Sequence, residues 1–421
     1  MNPTKATIPI LREALSSGTL TPLDLVEMHL DRIRAADTDV HAFVHVDAQG
    51  AREAARADID GPLRGLPFGI KDVLDTCDMP TEHGSALYAG ARPRYDAGCV
   101  ALLRGAGAIA LGKTATAEMA GTAPPTTTHP TNRTHTPGGS SSGSAAAVAA
   151  GMVVFALGTQ TGGSVLRPAA FCGVAGFKPS YGLWPIFGML PAAHSFDSVG
   201  VIARCAGDLA IIHAAIMRMP EVRPQQAPAR VSLCRTHLWE TISTDAIVQI
   251  EAAYRAFEQA GAAAGQASLP VDFARLTDHR AIINAFERTS NMMGFAARKD
   301  GLRAQTRTVF ERGLAISGED YIEARRALES ARANLDAVFG SADVLLAPVT
   351  PDVAPEGLEN TGDPRLQEIW SMLHCPSVTI PFGKGHGGLP LGVQLVARPF
   401  DDDLLLAAAQ QLERLQLGQA M

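Results

Sequence analysis

From Leu66 to Ala203 the chain alternates short apolar runs with alanine-rich stretches. Ala108-Ile109-Ala110-Leu111, Val153-Val154-Phe155-Ala156-Leu157 and Val199-Gly200-Val201-Ile202 read as strands, and the segments between them as helices. That alternation predicts a layered α/β fold. Upstream, Thr21-Pro22-Leu23-Asp24 reads as a helix start, with threonine as the cap and proline at the first helical position. Leu25, Val26, Leu30 and Ile33 continue it as an amphipathic helix.

Between about 210 and 340 the texture changes. Segments 245–259 and 321–339 carry apolar residues at helical spacing among Arg and Glu, so the stretch reads as a helical insertion. Strand-like runs return at Val344-Leu345-Leu346, Val378-Thr379-Ile380 and Gly392-Val393-Gln394-Leu395-Val396, before a closing helix from Asp402 to about Leu415. The strand-rich parts, about 60–210 and 340–421, are expected to share one sheet within a single domain spanning residues 1–421.

Composition narrows the function classes. With 421 residues and 46% hydrophobic content, the chain can bury a large core. A net charge of −7 argues against a nucleic-acid-binding surface, which needs clustered Lys and Arg. Only six lysines occur, and Lys71, Lys113 and Lys178 sit in glycine- or proline-rich segments rather than on a solvated helix face. The six cysteines include no C-x-x-C pair, so they are expected to be reduced thiols, and no metal-ligand spacing is visible. The longest apolar run, Ala145 to Gly158, is interrupted by Gly151 and falls short of the roughly 20 residues a membrane span needs. The N-terminal residues lack a secretory pattern, and a cytoplasmic location is the expectation.

Two familiar patterns arise by coincidence. Gly107 to Thr114 satisfies the P-loop spacing, but its intervening residues form an apolar run instead of a flexible phosphate cradle. Gly139-Ser140-Ser141-Ser142-Gly143 satisfies the nucleophile-elbow spacing, yet the preceding residues, Thr131 to Pro137, are polar and supply no strand. His83, His129, His135, His194 and His374 have no motif partner that would support a Ser-His arrangement.

The combination that carries chemistry is Gly69-Ile70-Lys71-Asp72, then Gly138-Gly139-Ser140-Ser141-Ser142-Gly143-Ser144, then Thr159-Gln160-Thr161-Gly162-Gly163-Ser164. A serine hydroxyl needs an adjacent base and backbone amides aimed at the developing oxyanion, and glycines let the backbone approach closely enough to provide them. Lysine can be that base only if burial lowers its pKa from about 10.4. The apolar flanks Leu66, Phe68, Ile70 and Val73 are compatible with such burial.

These segments, together with Gly176-Phe177-Lys178-Pro179 and Gly388-Leu389-Pro390-Leu391-Gly392, resemble the amidase signature family from about Leu30 to the C-terminal helix. The resemblance implies a three-layer α/β/α sandwich around a large mixed β-sheet and a cofactor-independent amidohydrolase. It makes Ser164 the nucleophile, Ser140 a bridging serine that follows a cis peptide bond, and Lys71 the base. Amides near Thr161, Gly162, Gly163 and Ser164 would form the oxyanion hole, with Ser141 and Thr159 supporting these groups. Many members carry aspartate where Gln160 stands and arginine two residues past the nucleophile. Here Leu166 holds that place and Arg167 follows, an arrangement similar to the malonamidase-type branch, in which the equivalent arginine holds a substrate carboxylate. A structural Arg167 paired with Asp197 or a carbonyl is the alternative. The implied partner is a small amide, with no nucleic acid or membrane and a homodimer as the default assembly. Two other functions stay open: an A-type subunit of a glutamine-dependent tRNA amidotransferase, and a non-catalytic binding protein with the same fold.

Overall fold

The computed structural model describes residues 2–221, 230–270 and 273–419. Eleven strands among them form one mixed sheet. In chain order they are β1 (Phe43–Val46), β2 (Pro67–Lys71), β3 (Ile109–Thr114), β4 (Phe155–Gln160), β5 (Ala175–Lys178), β6 (Ser198–Ala203), β7 (Arg230–Arg235), β8 (Ala263–Ser268), β9 (Val344–Pro348), β10 (Ser377–Lys384) and β11 (Pro390–Val396). Their order across the sheet is β1-β3-β2-β4-β6-β5-β10-β11-β9-β7-β8. β2 runs parallel to both β3 and β4, and β7 runs parallel to β8 and β9, while the remaining pairs are antiparallel.

Helices cover both faces because successive strand side chains point to opposite sides. Phe68, Ile70, Phe155 and Leu157 pack on one face with Leu209, Ile212 and Leu405 from helices Ala206–Met217 and Asp402–Gln419. Leu111, Ala156 and Ile202 pack on the other with Val26, Leu30, Ala145 to Val148 and Ala169. The N-terminal helix Pro22–Val40 starts as its sequence predicts: the Asp24 amide donates to Thr21 Oγ1 (3.1 Å) and the Thr21 amide to Asp24 Oδ2 (2.9 Å). Among the described residues, no helix is long and apolar enough to cross a membrane.

The stretch from 210 to 340 departs from its helical expectation, because it also supplies β7 and β8 to the sheet beyond β9. β7 alternates Val231 and Leu233 with polar residues, a strand signal that the neighbouring helical periodicity overshadowed. β8, Ala-Ala-Gly-Gln-Ala-Ser, is a largely exposed edge strand with no apolar alternation to betray it. The helix expected over 321–339 is two helices, Gly318–Ala333 and Asp336–Phe339, separated at Asn334. A third apolar cluster joins helices Phe273–Met292, Gly318–Ala333 and Arg365–Met372 to Leu345 and Ala347 of β9, fixing the wall that faces the serine-rich loops.

Helix Ser142–Ala149, entered directly from those loops, packs so closely on its neighbours that Gly143 has no room for a side chain. A Cβ there would lie 2.1 Å from the Ala42 carbonyl oxygen and 2.4 Å from the Ala115 amide nitrogen. Both are backbone atoms and cannot rotate away. Gly143→Ala is therefore expected to destabilise the fold by about 1–3 kcal/mol through overpacking. Urea denaturation measures this, and an unchanged midpoint would contradict the close packing.

Candidate active site

Lys71 is the last residue of β2, and the parallel pairing of β2 with β4 brings it beside Thr159 at the carboxyl ends of both strands. Its side chain is 0% exposed. The Nζ lies 2.8 Å from Ser140 Oγ and 2.8 Å from Thr159 Oγ1, with the Thr159 carbonyl oxygen at 3.4 Å. The Gly139-Ser140 peptide bond is cis, as the resemblance implied. Burial holds the Lys71 ammonium well below its usual pKa, and the charges of Arg288 and Arg167 push the same way. Asp197 opposes them, but its carboxylate is already engaged by Thr161 Oγ1 (2.6 Å) and the amides of Ala192 (2.8 Å) and Ala193 (3.0 Å).

The residues after β4 form a loop held from several sides. Gln160 Oε1 accepts from the amides of Val165 (2.9 Å) and Leu166 (3.1 Å), and its Nε2 donates to Ser371 Oγ (3.1 Å). The Ser371 hydroxyl donates in turn to the Gly162 carbonyl (2.6 Å). Against the other side of the loop, the Ser141 amide donates to the Ser164 carbonyl (3.2 Å), and Ser141 Oγ accepts from the Thr159 amide (3.3 Å). Ser141 and Thr159 thus tie the two serine loops together. Among the described residues, no intramolecular hydrogen bond uses the amides of Gly162, Gly163 or Ser164. Thr161, Gly162, Gly163 and Ser164 all line one cavity of about 160 Å³. That is the size of a buried cavity that holds a benzene-sized molecule.

Arg167 lies in the same cavity wall and is 4% exposed. Its Nε donates to the Thr361 carbonyl (2.6 Å), and its Nη2 to the Gly139 carbonyl (2.6 Å) and Thr361 Oγ1 (3.1 Å). Nη1 has no partner among the described residues. Burial pushes the guanidinium down to about 10, with Glu368 and Asp363 opposing. Arg167 therefore pairs with carbonyls and not with Asp197, and one N–H edge is left over.

Sequence reasoning missed six further polar groups in the cavity: Thr122, Arg280, Asn284, Arg288, Thr306 and Glu368. The spacing 280/284/288 on helix Phe273–Met292 was the available signal, since residues four apart share a helix face. Histidines stay apart from the cavity: His129 Nε2 meets the Phe171 carbonyl (2.9 Å), and His374 stacks on Tyr181 with ring centroids 3.9 Å apart. The Gly107 to Thr114 stretch is occupied by β3, whose Lys113 is buried against the Leu74 carbonyl (2.8 Å), so it is no phosphate loop.

A family model described as Amidase matches residues 24–406. The chain belongs to the amidase family. Relatives include the A subunits of two bacterial glutamyl-tRNA(Gln) amidotransferases. The one from Anaeromyxobacter sp. (strain K) is 34% identical over 96% of this chain and 95% of its own length. That from Chloroflexus aggregans is 32% identical over 97% and 96%. Among solved structures, native peptide amidase from Stenotrophomonas maltophilia superposes with a TM-score of 0.86 at 27% identity, covering 98% of this chain and 97% of that one. A structure described as a vestigial protein complex revealing the origins of an s-triazine catabolic enzyme gives a TM-score of 0.91 at 27% identity, covering 97% and 98%.

In this amidase-family chain the buried amine makes stability depend on pH. Lys71 is held well below the unfolded value near 10.4, so between the two pKa values the unfolded chain binds a proton that the folded chain lacks. Stability therefore rises with pH across the window from the lowered folded pKa to about 10.4, and is lost as pH falls through it. Lys71→Met removes this dependence. The stability difference, wild type minus variant, is expected to grow between pH 7 and pH 9, read as urea midpoints, and a pH-independent difference would mean that Lys71 stays charged in the fold.

Proposed function

We propose that the chain cleaves the C–N bond of a small carboxamide to a carboxylate and ammonia. The observation that carries this reading is the 2.8 Å contact between the buried Lys71 amine and Ser140 Oγ, next to a loop whose amides are free. Ser164 Oγ attacks the amide carbonyl while Ser140 takes its proton and passes its own to Lys71. Amides of the Thr161 to Ser164 loop donate to the oxyanion, each such donor being worth about 10²–10³ in rate. The relay runs backwards to protonate the leaving ammonia, and water then cleaves the acyl-enzyme by the same route. The unpartnered Nη1 of Arg167 suits an acid group on the substrate, since a buried N–H of a cation left without an acceptor costs free energy. On this reading the substrate is of the kind that malonamidase-like enzymes take.

A second reading, an amidotransferase A-type subunit, draws support from the relatives bearing that name. The net charge of −7 offers no basic surface for tRNA and supports the first reading, whereas the small guanidinium-lined cavity suits a small acid-bearing amide on either. A non-catalytic role fits poorly with an intact lysine, two serines and a loop of free amides.

Purified protein without partners is expected to release ammonia from small carboxamides, and Ser164→Ala to lose at least about 10³-fold in kcat. Activity that appears only on adding partner subunits and charged tRNA would favour the second reading. Arg167→Ala should reduce kcat/KM about 10–100-fold more on an acid-bearing amide such as succinamate than on propionamide, the worth of a charge-assisted hydrogen bond. Equal losses would assign Arg167 to holding Gly139 alone.

A further inference from the structure

Arg280, Asn284 and Arg288 follow one another at four-residue intervals on helix Phe273–Met292, and all three line the cavity that holds Ser164. Leu276 and Ile283, on the flank of that helix beside the stripe, are buried in the third apolar cluster, which anchors the helix with its polar stripe lining the site. Two guanidiniums in such a place are costly unless something completes them. Arg280 is 7% exposed and Arg288 6%. Arg280 Nη1 pairs with Glu368 Oε1 at 2.6 Å and its guanidinium stands 5.6 Å from the Phe196 ring centroid, but its Nε has no partner. Arg288 donates to the carbonyls of Met119 (2.8 Å) and Ala120 (3.4 Å), which fixes its head group beside the cavity. Across from the stripe, Thr306 lines the same cavity, is 2% exposed, and its hydroxyl has no partner.

Charge decides what fits. The cavity wall holds three guanidiniums, of Arg167, Arg280 and Arg288, against one carboxylate, that of Glu368. Asp197 tempers Arg288 from behind the wall, with its own oxygens already engaged by Thr161, Ala192 and Ala193. One substrate acid on Arg167 leaves an excess of donors in the rest of the cavity lining, the unpartnered Arg280 Nε and Thr306 hydroxyl among them.

We propose that the Arg280–Asn284–Arg288 stripe, with Thr306, holds a second acidic group, so that the substrate is a small carboxamide bearing two carboxylates. The inference deepens the hydrolase reading and rests on it for where the reacting carbonyl sits. Binding of simple carboxylates tests it without catalysis. Butyrate, glutarate and tricarballylate offer one, two and three carboxylates, of which one stands for the product acid at Ser164. Titration calorimetry of the wild-type protein should find tricarballylate at least tenfold tighter than glutarate. Asn284→Ala and Arg280→Gln should each remove most of that gap while leaving glutarate within twofold, whereas Arg167→Ala should weaken both. Tricarballylate binding no tighter than glutarate, or variants that weaken the two ligands equally, would overturn the second subsite. The Asn284 side chain makes no hydrogen bond among the described residues and lines the cavity, so its variant carries the test if Arg280→Gln fails to fold. Absence of ammonia release from every amide would remove the hydrolase reading and leave this ladder of affinities still decisive for the subsite.

Discussion

A lysine amine buried without a carboxylate in hydrogen-bond reach is the constraint on which this site depends. The chain contains its own control. Lys113 lies on β3, one strand from Lys71, and is equally buried, but it has the Asp72 carboxylate at 3.6 Å and is lowered only to about 8. Lys178 is also buried, near Asp402, and is likewise lowered to about 8. Burial drives all three down; the nearby carboxylates, Asp72 first, restore part of the shift at Lys113, and Cys375 and then Asp402 part of it at Lys178. Lys71 has hydroxyl neighbours instead, and its one opposing carboxylate, Asp197, acts from a distance. Hydroxyls can donate to a neutral amine as readily as they accept from a charged one, so they stabilise the form a base requires. β2 supplies the location: flanked by β3 and β4, it ends inside the sheet where water is excluded.

An amine so placed is useful only if its partners are held in register, and the hydrogen bonds around the loops achieve that with short side chains. Ser144 donates to the Leu157 carbonyl (2.9 Å), Ser142 to the Gly138 carbonyl (2.7 Å), and Ser141 and Thr159 join the two loops. Gln160 adds a feature a carboxylate could not. Either group could accept from the Val165 and Leu166 amides, but only the amide can also donate to Ser371 and so send a directed chain of donors to the Gly162 carbonyl. The loop presenting free amides to the cavity is thereby fixed by a residue that faces away from the chemistry.

The sequence made the layered fold and the serine-lysine segments legible because both are local. Buried strands such as Phe155–Gln160 are unbroken apolar runs, and the glycine-serine loops are contiguous. β8 was invisible because an exposed edge strand of alanine, glycine and serine has no burial to imprint a pattern. Arg167 was visible as a residue and ambiguous as a role, since Thr361, which takes two of its hydrogen bonds, is 194 positions away. The rest of the cavity wall left only the 280/284/288 spacing as a trace in the sequence, for the same reason: Arg280, Arg288 and Glu368 become one surface only when helices Phe273–Met292 and Arg365–Met372 meet on the third apolar cluster. Long-range packing, not local propensity, creates that half of the site.

Arg167 shows how the two halves are coupled. A guanidinium is rigid and planar, so an acid group bound at Nη1 would share one plane with Nη2, which holds the Gly139 carbonyl immediately before Ser140. Substrate charge and the orientation of Ser140 would then be fixed by the same group. Lysine in that position could satisfy one partner but not impose the geometry on both. An acid-bearing amide would therefore gain more than affinity from Arg167, because the contact that binds its carboxylate also bears on the peptide that aims Ser140 at Lys71.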